Sequence, residues 1–439
     1  MLSPLVAAFR TPDLRKKILF VIGIVILYRL GATIPSPGVN YKVVNDCMDQ
    51  INSGDNQVYA LINMFSGGAL LQLAVFAIGI MPYITASIIV QLLTVVIPRF
   101  EQLRKEGQSG QAKMTQYTRY LTVALALLQS TGIVALASRG QLLPDSCTGD
   151  VLNDESVFAL TIVVLVMTAG ACVVMWMGEL ITERGVGNGM SLLIFAGIAA
   201  RIPAEGKAIL DQRGGLAFAL VCVAALVIVA GVVFVEQGQR RIPVQYAKRM
   251  VGRKMYGGSS TYLPLKVNQA GVIPVIFASS LLYLPQLILQ LTAGSDDTSG
   301  WKKFVNDYLT DPTSWSHILI YFAMIIFFTY FYVAVTFNPE ERADDMKKYG
   351  GFIPGIRPGQ PTADYLGYVL SRITLPGSIY LGIIAVLPNV FLDMSSGGAA
   401  SGLNFFGGTA VLIMVGVGLD TMKQVNSQLM QRKYEGFLK

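Results

Sequence analysis

The stretch "LINMFSGGALLQLAVFAIGIMPYITASIIVQLLTVVI", Leu61 to Ile97, carries no charge. The 39 residues from Tyr59 to Ile97 carry no charge, and as one straight helix they would be roughly 58 Å long against a hydrocarbon core of about 30 Å. A single span cannot use all of it. Ser66-Gly67-Gly68 offers a break, leaving a short apolar piece, Leu61 to Leu71, ahead of a span over about 70 to 97. That piece either lies on the outer membrane surface or folds back among other helices. Non-spanning backbone at membrane depth is tolerated only where it is buried in protein or lines a cavity.

The rest of the chain is equally poor in charge. Of its 439 residues 53% are hydrophobic and 14% charged, where soluble domains carry about 25% charged residues. Charge-poor segments near 18–34, 70–97, 120–138, 157–178, 216–235, 270–291, 317–337 and 373–392 have span length. Two more, "GMSLLIFAGIAARI" from Gly189 and "FFGGTAVLIMVGVGL" from Phe405, reach it only with flanking residues. The expected fold class is therefore an all-α polytopic membrane protein with ten transmembrane helices.

The 34 Lys and Arg residues are distributed unevenly. Twenty-six fall in the N-terminus, in 98–119, 179–188, 236–268 and 338–372, and in the tail from 420; seven fall in the intervening segments and Arg29 lies within the first span. Cytoplasmic segments keep the positive excess, so both termini are expected in the cytoplasm. The opening "MLSPLVAAFRTPDLRKK" leads straight into a span and is not expected to be a cleaved leader. Ten spans divide into two sets of five, an N-terminal half 1–203 and a C-terminal half 204–439, with the second set inverted relative to the first. In each half the second span holds proline (Pro82; Pro274 and Pro285) and the fifth is the short one. Interrupted spans at matching positions mark where a substrate passes, although prolines are also common in ordinary membrane helices.

No span has an ionisable residue near its middle, so ion-coupled transport is disfavoured while a facilitator for a neutral small solute stays open. One histidine and no Walker-type or GxGxxG loop make an intrinsic enzyme improbable, and neither a cofactor nor a metal is expected. Cys47 and Cys147 fall in the first two external loops. An oxidising exterior permits a disulfide between them, with free thiols as the alternative.

Several motifs carry a closer reading: "LAVFAIGIMPYITASIIVQLL" (73–93), "ERGVGNGMSLLIFAGI" (183–198), "PLKVNQAGVIPVIFASS" (264–280), "GIRPGQPT" (355–362) and "GGTAVLIMV" (407–415). Together they resemble the SecY family, the central subunits of the bacterial protein-conducting channel, from about residue 10 to 435. The departures lie in the external loops 40–57 and 139–156.

The resemblance implies an hourglass pore between two inverted five-helix halves in the bacterial plasma (inner) membrane. Secretory chains cross it and membrane helices leave it sideways. Leu61 to Leu71 then corresponds to a re-entrant plug, including Leu61, Phe65, Ser66, Gly67, Gly68 and Leu71. The constriction maps to Ile80, Ile84, Met190, Ile194, Ile276 and Ile413; taken alone, these read as ordinary helix packing. A ring of aliphatic side chains suits a gasket, since it dewets when empty. The sideways exit maps to the second and third spans facing the seventh, with Thr85, Gln129, Asn268 and Pro274 near the seam. Basic loops 236–268 and 338–372, through Arg240, Arg241, Arg249, Arg253, Lys254 and Arg357, are implied to dock the ribosome, by ribosomal RNA contact, and the SecA motor ATPase. SecE and SecG subunits, signal sequences, nascent polypeptides and membrane lipid complete the implied partners.

Overall fold

A computed structural model of the chain describes residues 9–40, 43–44, 69–70, 72–138, 152, 154, 156–246, 249–251, 254–256, 260–292, 305, 308–309, 314–395 and 408–437. The proposed plug residues Leu61, Phe65, Ser66, Gly67, Gly68 and Leu71, the cysteines Cys47 and Cys147, and Arg253 lie outside these residues.

Eleven helices are described: α1 (Pro12–Thr33), α2 (Met81–Val96), α3 (Pro98–Lys105), α4 (Gln108–Ser138), α5 (Val157–Arg184), α6 (Gly189–Gln237), α7 (Ile273–Thr292), α8 (Trp315–Thr336), α9 (Pro339–Lys348), α10 (Gln360–Ser395) and α11 (Gly408–Phe437). Helix α6 contains two of the expected spans. Gly214, at φ 80° and ψ 173°, breaks it into apolar stretches Gly189–Pro203 and Gly214–Gln237. Each of the ten expected spans thus coincides with a helix. Five helical stretches are long and apolar enough to cross a membrane alone among the described residues.

The second span departs from its expected limits. It is helical only over Met81–Val96, not 70–97, and residues 72–80 run as successive turns. Three causes combine. Pro82 in the first turn sets φ for a helix start and cannot extend the ladder upstream. Gly79 takes φ 62°, which L side chains avoid. The backbone of the turn bonds elsewhere, Ser36 N–H donating to Leu73 O (3.0 Å) and Val75 N–H to Ile34 O (2.9 Å). The carbonyl of Val75 also occupies the place a Cβ would take on Gly170 of α5, so a side chain there would expel it. At its other end α2 turns by 100° into α3 across Ile97.

Outside the membrane-length helices the chain forms β1 (Gln239–Tyr246), β2 (Arg249–Val251), β3 (Lys254–Tyr256), β4 (Ser260–Lys266) and β5 (Gly351–Phe352). Strand β1 is central, antiparallel to β4 (Gln239 opposite Lys266) and to β5 (Tyr246 opposite Gly351). The two basic loops, 236–268 and 338–372, are therefore joined in one three-stranded sheet. Ile242 and Leu265 anchor it through a buried cluster with Val333, Phe337, Ile353 and Leu366.

Candidate channel constriction and gate

The six expected constriction residues meet in one place. Ile80, Ile194, Ile276 and Ile413 are buried in a single apolar cluster, and Ile84 and Met190 pack against it. Their positions along the helices are matched. Ile84 is the fourth residue of α2 and Ile276 the fourth of α7, each two places after a proline (Pro82 and Pro274); Ile194 and Ile413 are each the sixth residue of a helix that starts with glycine, α6 and α11. All six lie within the first two turns of a helix or, for Ile80, at its N-cap.

Local chemistry fixes these starts. Asn188 caps α6, its side-chain oxygen accepting from Met190 N–H at 3.1 Å and Ser191 N–H at 3.5 Å. Gly187 N–H donates to Gln424 Oε1 at 2.9 Å. On α5, Gly178 leaves a notch that Met190 and Ile80 share: a Cβ there would stand 3.0 Å from Met190 Cε and 3.5 Å from Ile80 Cδ1. The flexible thioether of Met190 is seated by that glycine. Sequence reading missed Gly178, whose place in an apolar run gives no sign of which neighbour covers it.

Helix α7 packs against both α2 and α4, the helices named for the expected sideways exit. The polar groups expected along that seam do not bond one another. Thr85 Oγ1 donates to Met81 O of its own helix at 3.0 Å, and Gln129 is buried on α4. Asn268 precedes α7, and its Nδ2 donates to a Glu236 carboxylate oxygen at the end of α6 and to Gly271 O at 3.1 Å. A hydroxyl that can bond the carbonyl one turn back needs no interhelical partner, and the buried carboxylate of Glu236 engages the Asn268 amide. Pro274 is buried in the first turn of α7.

Arg240 and Arg241 stand exposed on β1, opposite Leu265 and Pro264 of β4. Arg249 and Lys254 lie on the short β2–β3 hairpin. Arg357 is exposed in the turn after β5, its carbonyl accepting from Thr362 Oγ1 at 2.8 Å. Near the foot of the sheet Lys266 Nζ lies 3.3 Å from Asp420 Oδ1 of α11. Lys423 sits beside this pair, and burial first, then the Lys266 charge, push its ammonium below the ordinary lysine range.

Two contacts made by arginine side chains were not read from the sequence. Arg119 of α4 holds Glu179 of α5 in a two-pronged ion pair at 2.7 and 2.9 Å. Opposite charges at the ends of neighbouring spans were the available signal. Arg104 of α3 donates to the carbonyl of Val335 in the last turn of α8.

The arrangement defines a multi-pass helical membrane protein in which several helix starts converge on one apolar cluster. A sequence model of the SecY family matches residues 74–422, and the chain belongs to that family. It is 71% identical to the protein translocase subunit SecY of Mycobacterium tuberculosis (strain H37Rv), over all of both chains. It also resembles solved structures at lower identity. One is a SecY channel whose plug domain stabilises the closed state and maintains a membrane seal (18% identity, TM-score 0.62, 94% of this chain and 91% of that one). Another is the idle yeast Ssh1 complex bound to the yeast 80S ribosome (15%, TM-score 0.65, 93% and 89%).

Proposed function

We propose that the chain is the central subunit of a protein-conducting channel. It passes unfolded secretory chains across the bacterial plasma membrane and releases membrane helices sideways between α2 and α4 on one side and α7 on the other. The observation that carries this reading is the convergence of Ile80, Ile84, Met190, Ile194, Ile276 and Ile413 from matched positions on four helices. Matched P-x-I starts on α2 and α7, and matched glycine starts on α6 and α11, support two inverted halves, 1–203 and 204–439. A narrow aliphatic ring has no polar group to select a solute, and it closes by dewetting when no chain fills it. That chemistry suits an unspecific polypeptide better than a small neutral solute, and the full-length relatives are translocase subunits. The facilitator alternative is not favoured.

In this reading Leu61 to Leu71 is the plug, and both termini and the β1–β4–β5 sheet face the cytoplasm. Arg240, Arg241, Arg249, Arg253, Lys254 and Arg357 dock the SecA motor and the ribosome, and SecE and SecG complete the complex. The energy comes from the docked partner. The test is reconstitution of the purified complex in vesicles with SecA, ATP and a preprotein. Protease-protected preprotein inside the vesicles is expected, and Arg357→Glu should lower that yield while leaving the amount of assembled complex unchanged. Vesicles that equilibrate a neutral solute but protect no preprotein would overturn the proposal.

A further inference from the structure

Six residues, 267–272, connect β4 of the basic sheet to α7, which bears Ile276. They have no regular structure, yet they are held on every side. Val267 N–H donates to Gly238 O at 3.0 Å, tying the connector to the end of α6. The Val267 carbonyl occupies the place of a Cβ on Gly377, so α10 receives it only as glycine. Val272 Cγ1 lies 2.8 Å from where a Cβ on Gly416 of α11 would be. Gln269 Oε1 accepts from Lys266 N–H at 3.2 Å, closing the start of the connector on itself. At the centre, Asn268 (3% exposed) bonds Glu236 (6% exposed) and Gly271 O. Asn268 Oδ1 is buried without a partner, so the amide is held by its donor side alone.

A free loop of six residues would absorb a displacement of the sheet, because each unfixed residue adds two soft dihedrals. This connector has little such slack. We propose that the Glu236–Asn268 pair makes it a stiff link, so that displacement of the docking sheet acts on α7 and hence on the constriction. Glu236 and Asn268 are then positioning residues for gate opening, distinct from the exposed arginines that dock the partner. The inference rests on the channel reading above.

The experiment uses the purified complex in vesicles and separates docking from response. SecA affinity, the maximal rate of preprotein transport and the amount of assembled complex are measured for Asn268→Ala, Glu236→Ala and Glu236→Gln. The alanine variants should bind SecA within about twofold of the original but transport about tenfold more slowly per assembled complex. Glu236→Gln keeps an acceptor for the Asn268 amide and should restore most of the rate. Unchanged rates in both alanine variants would overturn the link, as would affinity and rate falling together or Glu236→Gln failing as badly as Glu236→Ala. Should the alanine variants not assemble, Glu236→Asp withdraws the carboxylate by one methylene at constant charge; a full transport rate in that variant overturns the link equally. An original complex that moves no preprotein sinks the channel reading instead, so the two failures are distinguishable.

Discussion

Residues 1–203 and 204–439 meet along two seams that differ in what crosses them. On one, α1 and the α5–α6 turn meet α11. Gly187 N–H bonds Gln424 at 2.9 Å, Lys17 Nζ reaches Gln428 Oε1 at 3.4 Å, and Leu14, Val186 and Val425 form a buried cluster there. On the other, α7 faces α2 and α4, and Thr85, Gln129 and Asn268 exchange no hydrogen bond. The contrast matters because the bilayer is itself apolar. Parting an apolar seam within the bilayer exchanges side-chain contact for lipid contact at little cost. The first seam instead joins segments at the expected cytoplasmic ends of the helices, where parting it would expose the Leu14–Val186–Val425 cluster to water and give up its hydrogen bonds. In the channel reading proposed above, the first seam would hold and the second would open.

The largest effect should follow from breaking the holding seam. Val186→Asp would bury an unpaired carboxylate at a 3% exposed position, at a cost of about 3 kcal/mol or more. Little assembled complex should accumulate in membranes, as read by native gel or pull-down on a partner subunit. Normal accumulation would mean that this seam does not hold the halves together.

A change of similar chemistry at the constriction should act differently. Ile276→Asn hydrates the ring, and a closed state about 1.4 kcal/mol less favoured opens tenfold more often. The complex should assemble, ion leak should rise and preproteins with defective signal sequences should cross more readily. Poor assembly without extra leak would return Ile276 to the role of ordinary packing and erase the difference between the regions.

A smaller effect is expected from Gln424→Leu, which leaves Gly187 N–H without its acceptor. Loss of one such bond costs about 1 kcal/mol. The thermal midpoint of the purified complex should fall by about 1 °C while leak stays at its original level. A rise in leak with no loss of stability would assign Gln424 to the gate instead.

What the sequence revealed, and what it hid, follows the same physical division. Span positions were legible because hydropathy acts locally, and the meeting of the six residues of the expected constriction in one apolar cluster was legible once their motifs were matched. The limits of α2 were not, because they depend on Leu73 and Val75 finding partners at Ser36 and Ile34, some forty residues upstream in the chain. That Asn268 bonds Glu236 was not legible, since nothing in "PLKVNQAGVIP" indicates which way an amide turns. The notch at Gly178 and the Arg119–Glu179 pair likewise exist only through a neighbouring helix. Pairings of this kind are decided by tertiary contact.

The smallest predicted effect tests the opening seam at its edge. Arg104 of α3, the helix that follows α2, reaches the Val335 carbonyl in the last turn of α8, the helix packed against α7. Terminal helix carbonyls lack intrahelical donors and carry partial negative charge, so a guanidinium is a favourable cap. Because Arg104 is exposed, water competes for the bond and its net contribution is about 0.5 kcal/mol, roughly a twofold change in opening. Arg104→Gln should therefore raise leak through the reconstituted complex about twofold in the absence of any motor or ribosome. Arg104→Lys, which keeps the charge but not the fork, should fall between the two. The motor-free setting matters, since a basic residue near the docking sheet would otherwise lower transport by weakening attachment. Unchanged leak in Arg104→Gln, alongside a clear rise in Ile276→Asn, would show that the seam is held shut by the ring alone and that its polar edge contributes nothing to closure.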